Sequence, residues 1–312
     1  MEPDHSASIP AFLKKYPNAT VVSTAKGFQF MEQFFPEFFA GQGLPAEQRI
    51  VAANDGVLEL GQHSLHFVYA PMVHWPEVMM TYEATEKILF AADGFGKFGA
   101  LDVEEEWTDE ARRYYIGIVG KYGPQVQAVL KKAAGLDIQT ICSLHGPVLK
   151  ENLGFYLEKY DRWSSYRPEE SGVVIAYASV YGNTRNAAEY LADVLQEKGQ
   201  KTVLYDLARC DKAKAVADAF RYDRLVLAGI TYNGDLFPCM RSYIEGLTER
   251  NYQNRKVAII ENGTWAPMAG KLILGMFEKS KNLTFTETTV SIKSAMNEQN
   301  KKEIGKLAEE LS

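Results

Sequence analysis

From residue 173 onward the chain alternates strand-length and helix-length apolar runs, and no other feature restricts its fold so tightly. Strands are expected at 173–178, 201–205, 224–228, 256–260 and 284–292, and helices at 186–197, 213–220, 240–247, 270–279 and 300–311. Five of each in strict alternation predict an α/β fold with a doubly wound five-stranded parallel sheet. In such a sheet a ligand sits at the carboxyl ends of the strands.

Three loops leave those ends. The first, Ser179, Val180, Tyr181, Gly182, Asn183 and Thr184, offers hydroxyls, an amide and backbone N–H groups at the start of a helix, which can satisfy a phosphate without a lysine. The Gly-Lys-Ser/Thr of a nucleoside-triphosphate loop is absent. The second loop brings Thr231, Tyr232, Asn233 and Gly234, and the third Asn262, Gly263, Thr264 and Trp265. Alone, the first loop would be no more than a capped helix start. With Tyr232 and Trp265 positioned to flank a planar ring, the three together read as an FMN site, and residues 173–312 resemble a short-chain flavodoxin domain from end to end.

The first half has mixed patterning. A helix is expected at 8–15, an amphipathic segment at 28–39, a helical stretch over 107–134 broken at Gly123-Pro124, and a last helix at 152–163. Short strands are expected at 19–24, 49–52, 57–60, 64–70, 87–92 and 138–142. Four short motifs run through this half: Glu2-Pro3-Asp4-His5, His74-Trp75-Pro76, Asp93-Gly94-Phe95-Gly96 and His145-Gly146-Pro147. Singly, these are a solvated acidic terminus, a capped histidine and a turn aspartate. In order, they offer imidazoles and carboxylates from dispersed loops, as a metal site does.

Their order resembles the metallo-β-lactamase-like half of the flavodiiron proteins, where an H-x-E-x-D motif is followed by a His, an Asp and a His, with a flavodoxin domain behind. Local matches at 18–20, 74–76, 88–96 and 141–147 extend the likeness. The resemblance implies that Glu2, Asp4, His74, Asp93 and His145 hold a non-haem diiron centre, with Asp93 bridging. His5 matches a position that usually does not ligate, and His63 and His66 read as strand side chains. Related hydrolases place His where Glu2 stands; exchanging imidazole for carboxylate favours iron over zinc. Met1 occupies the variable position of the motif, so its first histidine has no residue in this chain. The resemblance therefore implies an incomplete metal site in a truncated or mis-started product of a longer gene.

The expected organisation is a partial metallo-β-lactamase-like αββα domain over 1–163, a polar linker over 164–172 and a flavodoxin-like domain over 173–312. A net charge of −6 without a basic cluster speaks against nucleic acid, and no apolar run is long enough to span a membrane. Three scattered cysteines form no CxxC pair, as expected for the cytoplasm. The family likeness implies an oxidoreductase that reduces dioxygen to water or nitric oxide to nitrous oxide. It further implies electrons from a rubredoxin-like or other reductase carrier and a head-to-tail homodimer that brings one subunit's FMN to the other's irons. Two other classes stay open. One is an FMN-binding electron carrier with a vestigial metal domain; the other is a metallo-hydrolase, against which Glu2 and the flavin domain both argue.

Overall fold

The computed structural model describes residues 1–40 and 43–312. The chain divides into two compact units, Met1–Ser165 and Tyr166–Ser312. Among the described residues no helix is long and apolar enough to cross a membrane.

The first unit opens with α1 (Pro3–Ser6), α2 (Ile9–Lys15), β1 (Val21–Ser23), α3 (Ala25–Phe34), α4 (Pro36–Ala40) and β2 (Arg49–Val51), with β1 and β2 paired in parallel. The amphipathic segment expected over 28–39 falls in two helices, because Pro36 cannot continue the hydrogen-bond ladder of α3 and instead opens α4. A five-stranded sheet follows in the order β3 (Val57–Leu60), β4 (His63–Tyr69), β5 (Met79–Glu83), β6 (Ile88–Phe90) and β7 (Thr140–Cys142). Strand β5 has no counterpart in the sequence reading. Its buried Met80 and Tyr82 alternate with half-buried Met79 and Thr81, a short period-two pattern beside a proline-rich loop. Helices α5 (Trp107–Ile118), α6 (Gly123–Ala133) and α7 (Leu153–Ser164) complete the unit, and a 3₁₀ turn at Gly120–Tyr122 makes the break expected near Gly123.

The pairing of this sheet decides where its loops go. Strands β6 and β7 run parallel with Phe90 opposite Cys142, so the segments after them leave side by side. Strand β5 is antiparallel to β6, with Thr81 opposite Phe90, so the β4–β5 loop lies at that same end. Asp93, His145 and His74 all belong to these three segments.

The second unit contains β8 (Glu170–Tyr177), α8 (Asn183–Glu197), β9 (Thr202–Asp206), α9 (Lys212–Arg221), β10 (Tyr222–Tyr232), β11 (Asp235–Leu236), α10 (Pro238–Thr248), β12 (Arg255–Asn262), α11 (Ala269–Met276), β13 (Leu283–Ile292) and α12 (Glu298–Glu310). Five strands are parallel in the order β13-β12-β10-β8-β9, and β11 adds an antiparallel hairpin to β10. Val173 and Ile175 pack with Leu191 and Leu195 of α8 and Ile304 and Leu307 of α12. Their alternates Val174 and Ala176 are equally buried, so helices cover both faces, as an all-parallel sheet requires. The order reverses between β8 and β10, which places a crevice beyond their carboxyl ends.

Within the segment 164–172, expected as a linker, residues 165–169 lie outside helix and strand where the two units divide. Helix α7 reaches Ser164, Tyr166 is buried and β8 opens at Glu170. Its anchor is Arg255, whose guanidinium is buried and donates to the carbonyls of Tyr166 (2.7 Å), Tyr222 (2.7 Å), Gln253 (3.1 Å), Asn254 (3.2 Å) and Phe220. Burial lowers its pKa, yet the cation is matched by a ring of carbonyl oxygens. Replacing Arg255→Ala removes five bonds to a charged donor and is expected to destabilise the second unit by about 3 kcal/mol. Urea unfolding followed by the far-ultraviolet signal checks this; a midpoint unchanged from the parent contradicts it.

Candidate metal centre and flavin cavity

The centre of the first unit's site is the Asp93 carboxylate, 5% exposed. Its two oxygens face different partners: Oδ2 lies 3.0 Å from His74 Nε2, and Oδ1 lies 3.0 Å from His5 Nε2 and 3.8 Å from His145 Nε2. Glu2 Oε1 stands 3.7 Å from His74, and Asp4 Oδ2 is 3.3 Å from His145 and 3.5 Å from His5. Two groups of three result, Glu2-His74-Asp93 and Asp4-His5-His145, each with its donor atoms within 4.8 Å of one another. All five residues singled out from the sequence meet here. His5 joins them, although its motif position argued against it; helix α1 turns it inward beside Asp4. His63 and His66 belong to neither group, and His63 instead pairs with Glu83 at 3.2 Å.

The segment carrying Asp93 is held in an uncommon conformation. Phe95 has φ of 65°, and its N–H donates to the Tyr160 hydroxyl at 2.7 Å while its carbonyl accepts from the Trp107 indole at 3.2 Å. Helices α5 and α7 thereby fix the turn that aims Asp93. Gly96 is required by close approach, since a Cβ there would lie 2.9 Å from the His145 carbonyl and 3.0 Å from that of Asp93. That same His145 carbonyl accepts from Lys97 N–H (3.2 Å) and Ser143 Oγ (3.0 Å), locking the β6 and β7 loops together. At the amino end, Ser6 N–H donates to the Glu2 carbonyl at 2.9 Å, so residues 2–6 form a helical turn.

The electrostatics follow from this crowding. The hydrogen bond to Asp93 raises the His74 pKa above its ordinary 6.5, against the lowering effect of burial and with help from the charges of Asp93, Glu2 and Asp4. Burial pushes the Asp93 carboxyl up, but the His74 bond and the charges of His5, His145 and His74 outweigh it and leave the group below its usual range. Tyr114, a residue the sequence did not point to, is buried beside the site with its ring 5.7 Å from that of His145. Burial and the nearby Asp93 carboxylate hold its hydroxyl protonated well above the ordinary tyrosine range. The cleft over these groups, about 660 Å³, is bounded by Lys97, Phe98, Leu101 and Tyr114.

The second unit has a cavity of about 430 Å³ where the crevice was expected. It is lined by all three sequence-identified loops and by Ser294, which follows β13. No Asp, Glu, Lys, Arg or His lines it among the described residues. Ser179 Oγ accepts from Arg185 N–H at 3.2 Å, and Gly182 turns with φ of 90° into α8, whose first N–H groups have no intrahelical partner. Thr231 Oγ1 accepts from Met268 N–H (2.8 Å) and Ala269 N–H (3.2 Å), joining the second loop to the start of α11. Asn233 and Gly234, both at positive φ, make the tight β10–β11 turn that presents Tyr232. Asn262 Nδ2 reaches Thr184 Oγ1 at 3.4 Å. Trp265 and Tyr181 stand at the rim, 90% and 92% exposed, as apolar surfaces free to cover a ring.

Comparison with known proteins agrees with both units. The family described as "ODP family beta lactamase" matches residues 1–146, and the family described as "Flavodoxin domain" matches residues 174–302. Diflavin flavoprotein A 1 of Synechocystis is 33% identical over 67% of this chain and 37% of its own length. The nitric oxide reductase of Moorella thermoacetica is 26% identical over 87% of this chain and 68% of its own. The chain thus spans little more than a third of the first of these relatives. Among solved structures, the flavodiiron protein of Giardia intestinalis superposes with a TM-score of 0.88 at 23% identity, covering 97% of this chain and 75% of that one. With a beta-lactamase-type unit followed by a flavodoxin unit, and relatives that span the two, the chain belongs to the flavodiiron protein family.

Proposed function

We propose that the protein is an FMN- and diiron-dependent oxidoreductase that reduces dioxygen to water or nitric oxide to nitrous oxide in the cytoplasm. The observation that carries the reading is the Asp93 carboxylate, whose two oxygens each face a different set of nitrogen and oxygen donors. A donor set of three imidazoles and three carboxylates suits a hard, redox-active metal pair, and the site accordingly fits two irons. Glu2 and His74 would hold one, Asp4, His5 and His145 the other, with Asp93 between them. The neutral cavity of the second unit fits FMN, with Ser179, Asn183 and Thr184 at the phosphate and Tyr232 and Trp265 at the ring. When bound, FMN passes electrons singly and the iron pair binds and reduces a diatomic molecule.

The chain's own groups have definable tasks in this reading. Asp93 keeps His5 and His74 in place through its two oxygens while no metal is bound, and those same oxygens and imidazole nitrogens would become ligand atoms when irons enter; the carbonyl of His145 is fixed by Lys97 and Ser143. Tyr114, kept protonated by its surroundings, can hold a proton beside the metal donors. Phe98 and Leu101 keep an apolar wall on the cleft, which favours an uncharged diatomic over an ionic substrate. Electrons are taken from a rubredoxin-like or other reductase carrier, and a head-to-tail pair of subunits brings one FMN to the other's metal centre. The test is reconstitution of the purified chain with FMN and ferrous iron, followed by gas consumption with a reduced donor. Both cofactors bound together with gas turnover support the proposal; a reducible flavin with no iron uptake favours an electron carrier instead.

Three outcomes follow for the two sites. Asp93→Asn keeps the side-chain volume and the turn but removes the charge between two cations, so iron content and gas turnover should collapse while FMN content stays at the parent level; metal analysis and flavin absorbance read this directly. Because the raised pKa of His74 means a cation must displace its proton, iron affinity of the apo protein should increase as pH rises from about 6 to 8. In apo protein the same pair adds stability that is lost above the raised His74 pKa and below the lowered Asp93 pKa. A flat iron-binding profile across that range counts against His74 as a metal donor. The double variant Ser179→Ala with Thr184→Ala should weaken FMN by about 3–6 kcal/mol, since bonds to a charged phosphate contribute roughly 1.5–3 each; titration by flavin fluorescence checks it.

A further inference from the structure

The loop after β13 carries an arrangement that the three flavin loops do not explain. Ser294 sits at φ of 72°, a conformation L-residues adopt only when their surroundings enforce it. Asn262 supplies the enforcement: its Nδ2 donates to the Ser294 carbonyl at 2.9 Å, and its Oδ1 accepts from Ser294 N–H at 3.0 Å. The side-chain amide acts as a piece of β-ladder and clips the fourth loop to the end of β12. Asn262 is itself 6% exposed, and its Nδ2 also reaches Thr184 Oγ1. The result for Ser294 is a fixed hydroxyl, 2.9 Å from that of Thr264, and both residues line the cavity.

The position of this hydroxyl pair is defined on both sides. Towards one end it is tied through Asn262 to Thr184, the last residue of the phosphate loop. Towards the other, Thr264 leads directly into Trp265, the aromatic at the rim. A ligand that extends from the phosphate loop to the aromatics must pass the pair with the part joining its phosphate to its ring. Two hydroxyls bonded to each other keep one proton and several lone pairs free, so they can both donate and accept. That is the pairing a polyol needs, because each alcohol of the chain is also donor and acceptor.

We infer that Ser294 and Thr264, set in place by Asn262, form a subsite for the polyol chain of the flavin. The inference rests on the FMN reading of the cavity and extends it to a fourth loop. It makes Ser294 a ligand-contacting residue and Asn262 a positioning residue, with hydroxyl complementarity rather than charge selecting the ligand's middle section.

The test compares three flavins on the full chain by fluorescence titration: FMN, riboflavin, and lumiflavin, which has the ring without the polyol. Ser294→Gly removes the hydroxyl and relieves the backbone, while Ser294→Ala removes the hydroxyl alone. Both variants should lose about fivefold in affinity for FMN and riboflavin, the effect of one ordinary hydrogen bond, and none for lumiflavin. Unchanged FMN and riboflavin affinity in Ser294→Gly overturns the subsite while leaving FMN binding intact. An equal loss for lumiflavin also overturns it, since the residue would then only shape the cavity. A parent chain that binds none of the three flavins overturns the FMN reading itself.

Discussion

One buried carboxylate organises the first unit. Asp93 lies among three imidazoles and close to two further carboxylates, and an isolated charge in such a place would be costly to bury. The cost is offset by directing its two oxygens to different imidazoles and by rigid support from behind. Tyr160 and Trp107 grip Phe95, the close approach at Gly96 admits the His145 carbonyl, and Lys97 and Ser143 bind that carbonyl in turn. His74, Asp93 and His145 are therefore prearranged by a sheet whose β4–β5, β6 and β7 loops all emerge at one end, and the turn of α1 brings Glu2, Asp4 and His5 to them. Such an arrangement spares a metal the entropy of collecting its ligands.

The second unit solves a different problem with uncharged groups. Its cavity has to bind a phosphate-bearing ring compound without a cation on its lining. Hydroxyls, amides and the open N–H groups of α8 provide the donors, and the loops that carry them are stitched by Thr231 to α11 and by Asn262 to Thr184 and Ser294. Arg255 has a comparable structural part at the opposite, amino-terminal end of the sheet, where a buried guanidinium gathers carbonyls from Tyr166 to Asn254.

How much was legible from residues alone can be judged at particular positions. The parallel sheet could be read because its strands are buried on both faces and appear as continuous apolar runs separated by helical periods. The dispersed Glu2, Asp4, His74, Asp93 and His145 stood out because short loops with imidazoles and carboxylates recur in a recognisable order. Strand β5 escaped because two methionines and a tyrosine give a weak alternation. His5 was set aside because its motif position carried no demand for a ligand, yet the turn of α1 brings its ring to Asp93. Tyr114 and Tyr160 belong to amphipathic helices, where an aromatic reads as ordinary core.

The amino-acid order by itself determined the alternating strands and helices of the second unit, the three loops at its strand ends, and the chemical kind of each donor, while the beta-lactamase-type first unit was implied by the resemblance of its motif order to a known family. These are local or periodic properties, written in spacing and side-chain type. The tertiary structure decided what depends on contacts between distant segments: that Asp93 faces two sets of donors, that His5 joins one of them, and that Ser294 is clipped to Asn262. Such contacts span 19 to 88 residues of sequence. No local pattern encodes them, because they arise only when sheet register and helix packing bring separate loops to the same end of a strand.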